Sequence, residues 1–225
     1  MNRDDRASNG AGAGGAAGTA GARRSVVLAH AYRLLNHGPT VLVSSAHGGR
    51  RNVMAAAWAM PLDFDPPKVA VVIDKSTFTR ELVEASGEFV LGLPCRDLAD
   101  ATFGVGNCSG RELAAGGSDK FERFGLGTFA GSVVGAPLVA GCVAWLECRV
   151  LREPHIEAAH DLFLGQVLAA QADARVFREG RWHFDDAPAA LRTLHHVAGG
   201  AFLLPGERVQ GRMPPPRGEP DGAPS

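Results

Sequence analysis

Between Asn52 and Arg80 the chain sets two kinds of chemistry side by side. Asn52-Val53-Met54-Ala55-Ala56-Ala57-Trp58 is a run of mostly small side chains. Such a run leaves backbone N–H and C=O groups within reach of a flat ring, and Asn52 adds a side-chain amide. Lys75-Ser76-Thr77-Phe78-Thr79-Arg80 places two hydroxyls, Ser76 and Thr79, at N-cap and N3 spacing, with Lys75 and Arg80 adding positive charge. The free N–H groups and the dipole at a helix start favour an anion there. A small-residue strand followed by such a helix start suits a phosphorylated aromatic cofactor. Each half also has a plainer reading. The first is equally a tightly packed barrel strand, and the second an ordinary capped helix with solvated basic residues.

Three other clusters bear chemistry. Asn107-Cys108-Ser109-Gly110-Arg111, followed by Asp119-Lys120-Phe121, reads as a loop and a helix start able to cover a cofactor, or as a polar surface loop. Its length for a compact domain favours the former. His160 opens an apolar run, where an imidazole can bind an anion, donate a proton or face a nicotinamide; a lone His is more often structural. His195-His196 before Gly199-Gly200 hints weakly at a metal, but no acidic or Cys partner stands at ligand spacing. A G-x-S-x-G elbow, a Walker loop and a post-strand G-x-G-x-x-G are all missing. A hydrolase triad and a Rossmann nicotinamide pocket are therefore not expected, which leaves open a nicotinamide that docks briefly.

The elements around these residues are mostly strands. Residues 40–45 and 53–60 flank a turn at 47–52 and read as a hairpin. Pro61 to Pro67 reads as a loop, because Pro66-Pro67 cannot donate to a ladder. Val69 to Ile73 is apolar without alternation, a strand buried on both faces. Residues 76–85 read as a helix ending before Gly87, with Phe78, Leu82 and Ala85 on one face. Further strands are predicted over 88–94, 143–150, 162–168 and 181–184, a short helix over 96–103, a glycine-rich loop over 104–117 and a helical turn over 118–124. Six or seven mostly antiparallel strands with short helices make a mainly β fold, a barrel rather than a doubly wound sheet.

The chain has 225 residues and a formal net charge of −1, with no basic block. One domain of ordinary size is expected, with small molecules or further copies of the chain as partners. Residues 1–25 are rich in Ala and Gly and residues 210–225 in Pro and Gly; both are expected to be disordered, leaving the domain at 26–209. No apolar stretch resembles a secretory signal or approaches the roughly 20 residues of a membrane helix, so a cytoplasmic location is expected. Cys95, Cys108, Cys142 and Cys148 form no Cys-x-x-Cys pair and read as free thiols, Cys108 being the most exposed.

The motifs N-V-M-A-A-A-W, D-F-D-P-P-K-V-A-V-V-I, S-T-F-T, S-G-E-F-V-L, C-S-G-R with D-K-F, and H-D-L-F-L-G-Q-V resemble, in their order and spacing, those of the flavin reductase-like family. L-H-H-V-A-G-G-A-F-L-L-P-G-E is similar to the closing segment of its flavoredoxin-type branch. The resemblance covers about 34–207 and implies an FMN-binding split β-barrel and a homodimer with the flavin near the interface. By that likeness Asn52, Met54, Ala55, Ala56, Ala57 and Trp58 line the ring and ribityl chain. Lys75, Ser76 and Thr79 hold the phosphate, and Ser109 and Lys120 match a later motif. His160 falls where members carry a His/Asp pair and is the catalytic candidate, although the family order is often Asp-His. Ala57 stands where many members have Ser. The implied activity is hydride transfer from NAD(P)H to FMN, with a monooxygenase or another acceptor taking the electrons. Two other readings are a flavoredoxin-like FMN electron carrier without its own NAD(P)H activity and a non-catalytic split-barrel binding module.

Overall fold

The computed structural model describes residues 22–213. The strands are β1 (Arg23–Ser25), β2 (Val41–His47), β3 (Arg50–Ala56), β4 (Ala59–Phe64), β5 (Pro67–Val72), β6 (Glu88–Leu93), β7 (Thr128–Phe129) and β8 (Leu138–Val139). After them come β9 (Ala144–Leu151), β10 (Leu162–Asp173), β11 (Phe177–Arg178), β12 (Arg181–Trp182), β13 (His195–Ala198) and β14 (Ala201–Leu203). The α-helices are α1 (Phe78–Ser86), α2 (Ala99–Gly106), α3 (Gly110–Ala115), α4 (Lys120–Arg123) and α5 (Pro154–His160).

Eight strands form one antiparallel sheet in the order β3-β2-β6-β9-β10-β5-β4, with β1 also paired to β10. The two end strands, β3 and β4, are consecutive in the chain and joined only by Ala57 and Trp58. So short a link spans roughly 10 Å at most. The sheet must therefore roll until its edges meet, yet no ladder joins β3 to β4. The result is a barrel split along one seam, and Ala57-Trp58 lies at that seam.

The strands bury both faces, which explains their nearly unbroken apolar runs. Val41, Val43, Phe89, Leu91, Leu146 and Phe163 fill the barrel interior. The alternate residues Leu42, Val90 and Trp145 pack outward in a second layer, beneath Val105 of α2 and Phe121 of α4. Gly165 on β10 is needed for close packing, since a Cβ there would lie 2.5 Å from the Phe89 ring.

Several expected elements change. The strand predicted over 53–60 is broken at Ala57-Trp58, and the stretch expected as a loop from Pro61 carries β4. Pro61 is tolerated because β4 is an edge strand, and its register slips by a bulge between Pro61 and Asp63. The glycine-rich segment 104–117 is largely helical, holding the end of α2 and all of α3. Gly110 is required by proximity rather than by looseness: a Cβ there would sit 2.3 Å from Asn52 Oδ1. At the amino end, Arg23–Ser25 pairs with Gln171–Asp173, so order begins before residue 26. Of the two ends expected to be disordered, 1–21 and 214–225 lie outside the described residues. All four cysteines are free, and Cys108 is the one not buried.

Candidate functional site

A cleft of about 620 Å³ opens at the seam. Its floor is the end of β3 and the link, Met54 through Trp58. Here the alanines do what their size suggests: no side chain fills the space above the main chain. One wall is α2, presenting Thr102, Phe103 and Gly106; Val72 and Asp74 close the end near α1. The opposite wall is the β13–β14 hairpin, through His196, Gly199 and Phe202. Ring edges of Phe103 lie 3.7 Å from where a Cβ on Gly200 would stand, so the two walls approach across the cleft. Thr102 Oγ1 is buried and finds no hydrogen-bond partner among the described residues. An orphaned hydroxyl on a cleft wall is a polar contact left for a ligand.

The structure brings together five of the predicted residues, Met54, Ala55, Ala56, Ala57 and Trp58, and none of the others lines the cleft. Asn52 is buried, and its Nδ2 donates to Thr79 Oγ1 at 2.9 Å. Thr79 is fully buried, so its hydroxyl ties α1 to β3. The helix cap is Thr77, whose hydroxyl accepts from Arg80 N at 3.3 Å, and not Ser76. Ser76 instead donates from N and Oγ to Asp74 Oδ1, at 2.7 and 2.6 Å. Those two bonds hold the Asp74 carboxyl below the usual carboxylate range, so a fixed negative charge stands at the rim. Lys75 is exposed at the same rim.

Arg80 turns inward rather than towards an anion. It pairs with Glu84 and Asp161, and Nη2 donates to Glu157 O at 2.9 Å, stapling α1 to α5. Ser109 caps α3 by accepting from Glu112 N at 3.3 Å. Lys120 is buried and donates to Val105 O at 2.6 Å, and its burial lowers its proton affinity. Both serve the packing of α2, α3 and α4 against the barrel. His160 is the exposed last residue of α5 and lines no wall of the cleft.

The residues missed by sequence are the walls. Thr102 and Phe103 lie in a segment read only as a short helix. His196 and Gly199 had a visible signal, the His-His and Gly-Gly pairs, but it pointed towards a metal. Among the described residues no cluster of His, Cys, Asp and Glu can hold one. The hairpin is pinned by a small polar core. Thr193 Oγ1 sits between His37 Nε2 at 2.9 Å and His195 Nε2 at 3.3 Å, while His195 Nδ1 pairs with Gly38 O at 3.1 Å. His37 packs against Trp182 with ring centroids 5.0 Å apart, and burial pushes its pKa down to about 3. Its ring is therefore neutral at physiological pH.

A rolled antiparallel sheet with a ligand-sized cleft at its open seam defines a split barrel of the kind that binds FMN. The chain belongs to the flavin reductase-like family: the Flavin reductase like domain matches residues 33–194. It is 49% identical over 187 residues to the protein YddH of Escherichia coli K12, covering 82% of this chain and 95% of YddH. The crystal structure of an FMN-binding domain of a flavin reductases-like enzyme from Shewanella baltica superposes with a TM-score of 0.81 at 47% identity, over 84% of this chain and 97% of that one. Flavoredoxin of Desulfovibrio vulgaris superposes at 0.64 with 25% identity, over 77% and 90%. Some relatives at lower identity are flavin reductases.

Proposed function

We propose that this chain holds FMN in the seam cleft and reduces it with NAD(P)H. The observation that carries the reading is the alanine floor: a cleft of ligand size, within the usual range of roughly 300–1,000 Å³, whose base is open main chain. The orphaned Thr102 hydroxyl and the aromatic faces of Trp58, Phe103 and Phe202 suit a flat, polar-edged ring. Met54 to Ala57 would contact the ring through backbone groups, and Lys75 would meet the phosphate beside the α1 terminus. Asn52 and Thr79 act through position, holding β3 against α1. FMN held there would supply the redox chemistry, with a reduced nicotinamide as the hydride donor. The protein orients the rings, keeps water off the floor and fixes the nearby charge. A monooxygenase or another acceptor would then take the electrons.

Anaerobic mixing of the FMN-loaded protein with NADH or NADPH tests this. Rapid loss of the flavin's visible band is expected. A protein that binds FMN but is not bleached by either nucleotide is instead an electron carrier, as the likeness to flavoredoxin allows. FMN at 100 times its Kd should also add about 2.7 kcal/mol of stability. A chain that gains none is no FMN protein, and the reading fails.

The same reading includes a homodimer. Trp58 in the link and Met60, Leu62 and Phe64 of β4 are 75%, 54%, 46% and 66% exposed and recur at every second residue, on one face of the edge strand. An apolar row of this kind on an unpaired edge is an association surface. It begins at Trp58, which also lines the cleft, so a second copy seated there would help close the site. Sedimentation should show a dimer that Met60→Asp with Leu62→Asp converts to monomer. A wild-type monomer at micromolar concentration would rule the dimer out. Free thiols throughout the described residues agree with a reducing, cytoplasmic setting.

A further inference from the structure

We propose that His196, and not His160, is the acid–base residue of the cleft, taking up a proton beside the flavin when the cofactor is reduced; this rests on FMN occupying the seam. Among the described residues that line the cleft, only Asp74 and His196 can ionise. The floor from Met54 to Trp58 offers no titratable group, and neither does the α2 face of Thr102, Phe103, Gly106 and Asn107. The hairpin adds only Gly199 and Phe202, and Thr40 and Val72 complete the lining. Asp74 stays anionic through the neutral range because Ser76 stabilises its charge. His195, next in the chain, bonds to Gly38 and Thr193, and burial lowers its proton affinity. His37 behind it is held neutral in the same way. His196 is left as the cleft side chain whose ring can take up a proton.

Its surroundings allow it to do so without moving. His196 Nε2 lies 3.0 Å from Gly199 O, and a carbonyl can only accept, so Nε2 carries the hydrogen. Nδ1 is then the basic nitrogen. Protonation there adds a charge and a donor while the Nε2–H bond persists. The backbone holds too: His196 N donates to Thr40 Oγ1 at 2.9 Å, and the ring meets Phe202 edge-on at 5.6 Å. A hydride brings one hydrogen nucleus and two electrons, so reduction leaves the flavin ring with one extra negative charge. A proton taken from solvent onto Nδ1 balances it. By linkage, the reduced cofactor raises the proton affinity of His196 as much as protonated His196 favours the reduced cofactor.

The test follows the His196 imidazole by NMR, assigned by its loss in H196Q, as pH is varied over FMN-loaded protein before and after anaerobic reduction with dithionite. Its titration midpoint should rise by about one pH unit on reduction, a tenfold gain in proton affinity. An unchanged midpoint overturns the proposal. A second measurement compares oxidised and reduced FMN affinities in H196R and H196Q at neutral pH. The preference for reduced FMN should be about tenfold greater in H196R, where the charge is permanent. Equal preferences would also overturn it. If the wild-type chain takes up no FMN, the cofactor reading falls first and this one with it. If FMN binds and neither measurement responds, only the role of His196 is lost.

Discussion

Ala57→Phe should reduce FMN affinity at least about 100-fold, a loss near 2.8 kcal/mol, while the fold stays within about 0.5 kcal/mol of wild type. Ala57 is exposed in the two-residue link and contributes to the cleft floor, so a larger side chain meets no packed neighbour in the barrel. A phenyl ring there occupies the space a cofactor ring would need. The measurement is a titration of FMN fluorescence, paired with thermal unfolding of the apo protein. Ala57→Ser adds one oxygen and should bind near the wild-type level. If Ala57→Phe binds FMN as tightly as wild type, the flavin does not sit on this floor, and the functional reading loses its main support.

Trp145→Ala should cost about 4 kcal/mol of folding stability, a large part of the roughly 5–15 kcal/mol that a domain has. Trp145 sits on β9 in the middle of the sheet and is 1% exposed. Its indole packs T-shaped against Phe129 at 5.4 Å and donates from Nε1 to Val139 O at 2.8 Å. Truncation leaves a cavity in the outer layer and an unpaired carbonyl on β8. Trp145→Phe keeps most of the buried area and should recover all but about 1–2 kcal/mol, the share of the hydrogen bond and the lost volume. Urea unfolding of the three proteins separates these contributions. A loss below 1 kcal/mol for the alanine variant would mean that the layer joining β9 to β7 and β8 is not tightly packed.

Much of the barrel was legible because the signal was local. The apolar run Val69 to Ile73 supplies β5 as far as Val72, and Glu88 to Leu93 is β6, both with buried faces. Gly87 stops α1 where expected, in the left-handed conformation at φ 71°. Errors arose where local chemistry and tertiary demand parted. Pro61 looked like a loop residue, yet an edge strand needs nothing from its missing N–H. Gly104, Gly106 and Gly110 looked like loop residues. They sit in helices, and at Gly104 and Gly110 a Cβ would collide with Phe124 and Asn52. Ser76 and Thr77 are equally good caps on paper, and Asp74 decides between them by taking the Ser76 hydroxyl.

The alanine run and the helix start after it can be read directly from the chain, because small side chains and capping hydroxyls act through their own backbone. The same holds for the mainly β fold, since alternation and β-branched runs express local preference and burial. Closure belongs to the tertiary structure alone. Only the rolled sheet sets β3 beside β4, and only then do α2 and a hairpin some ninety residues further on become two walls of one cleft. Contacts between such distant residues leave no periodic trace in a sequence, because their energy is gained only after the intervening strands have paired.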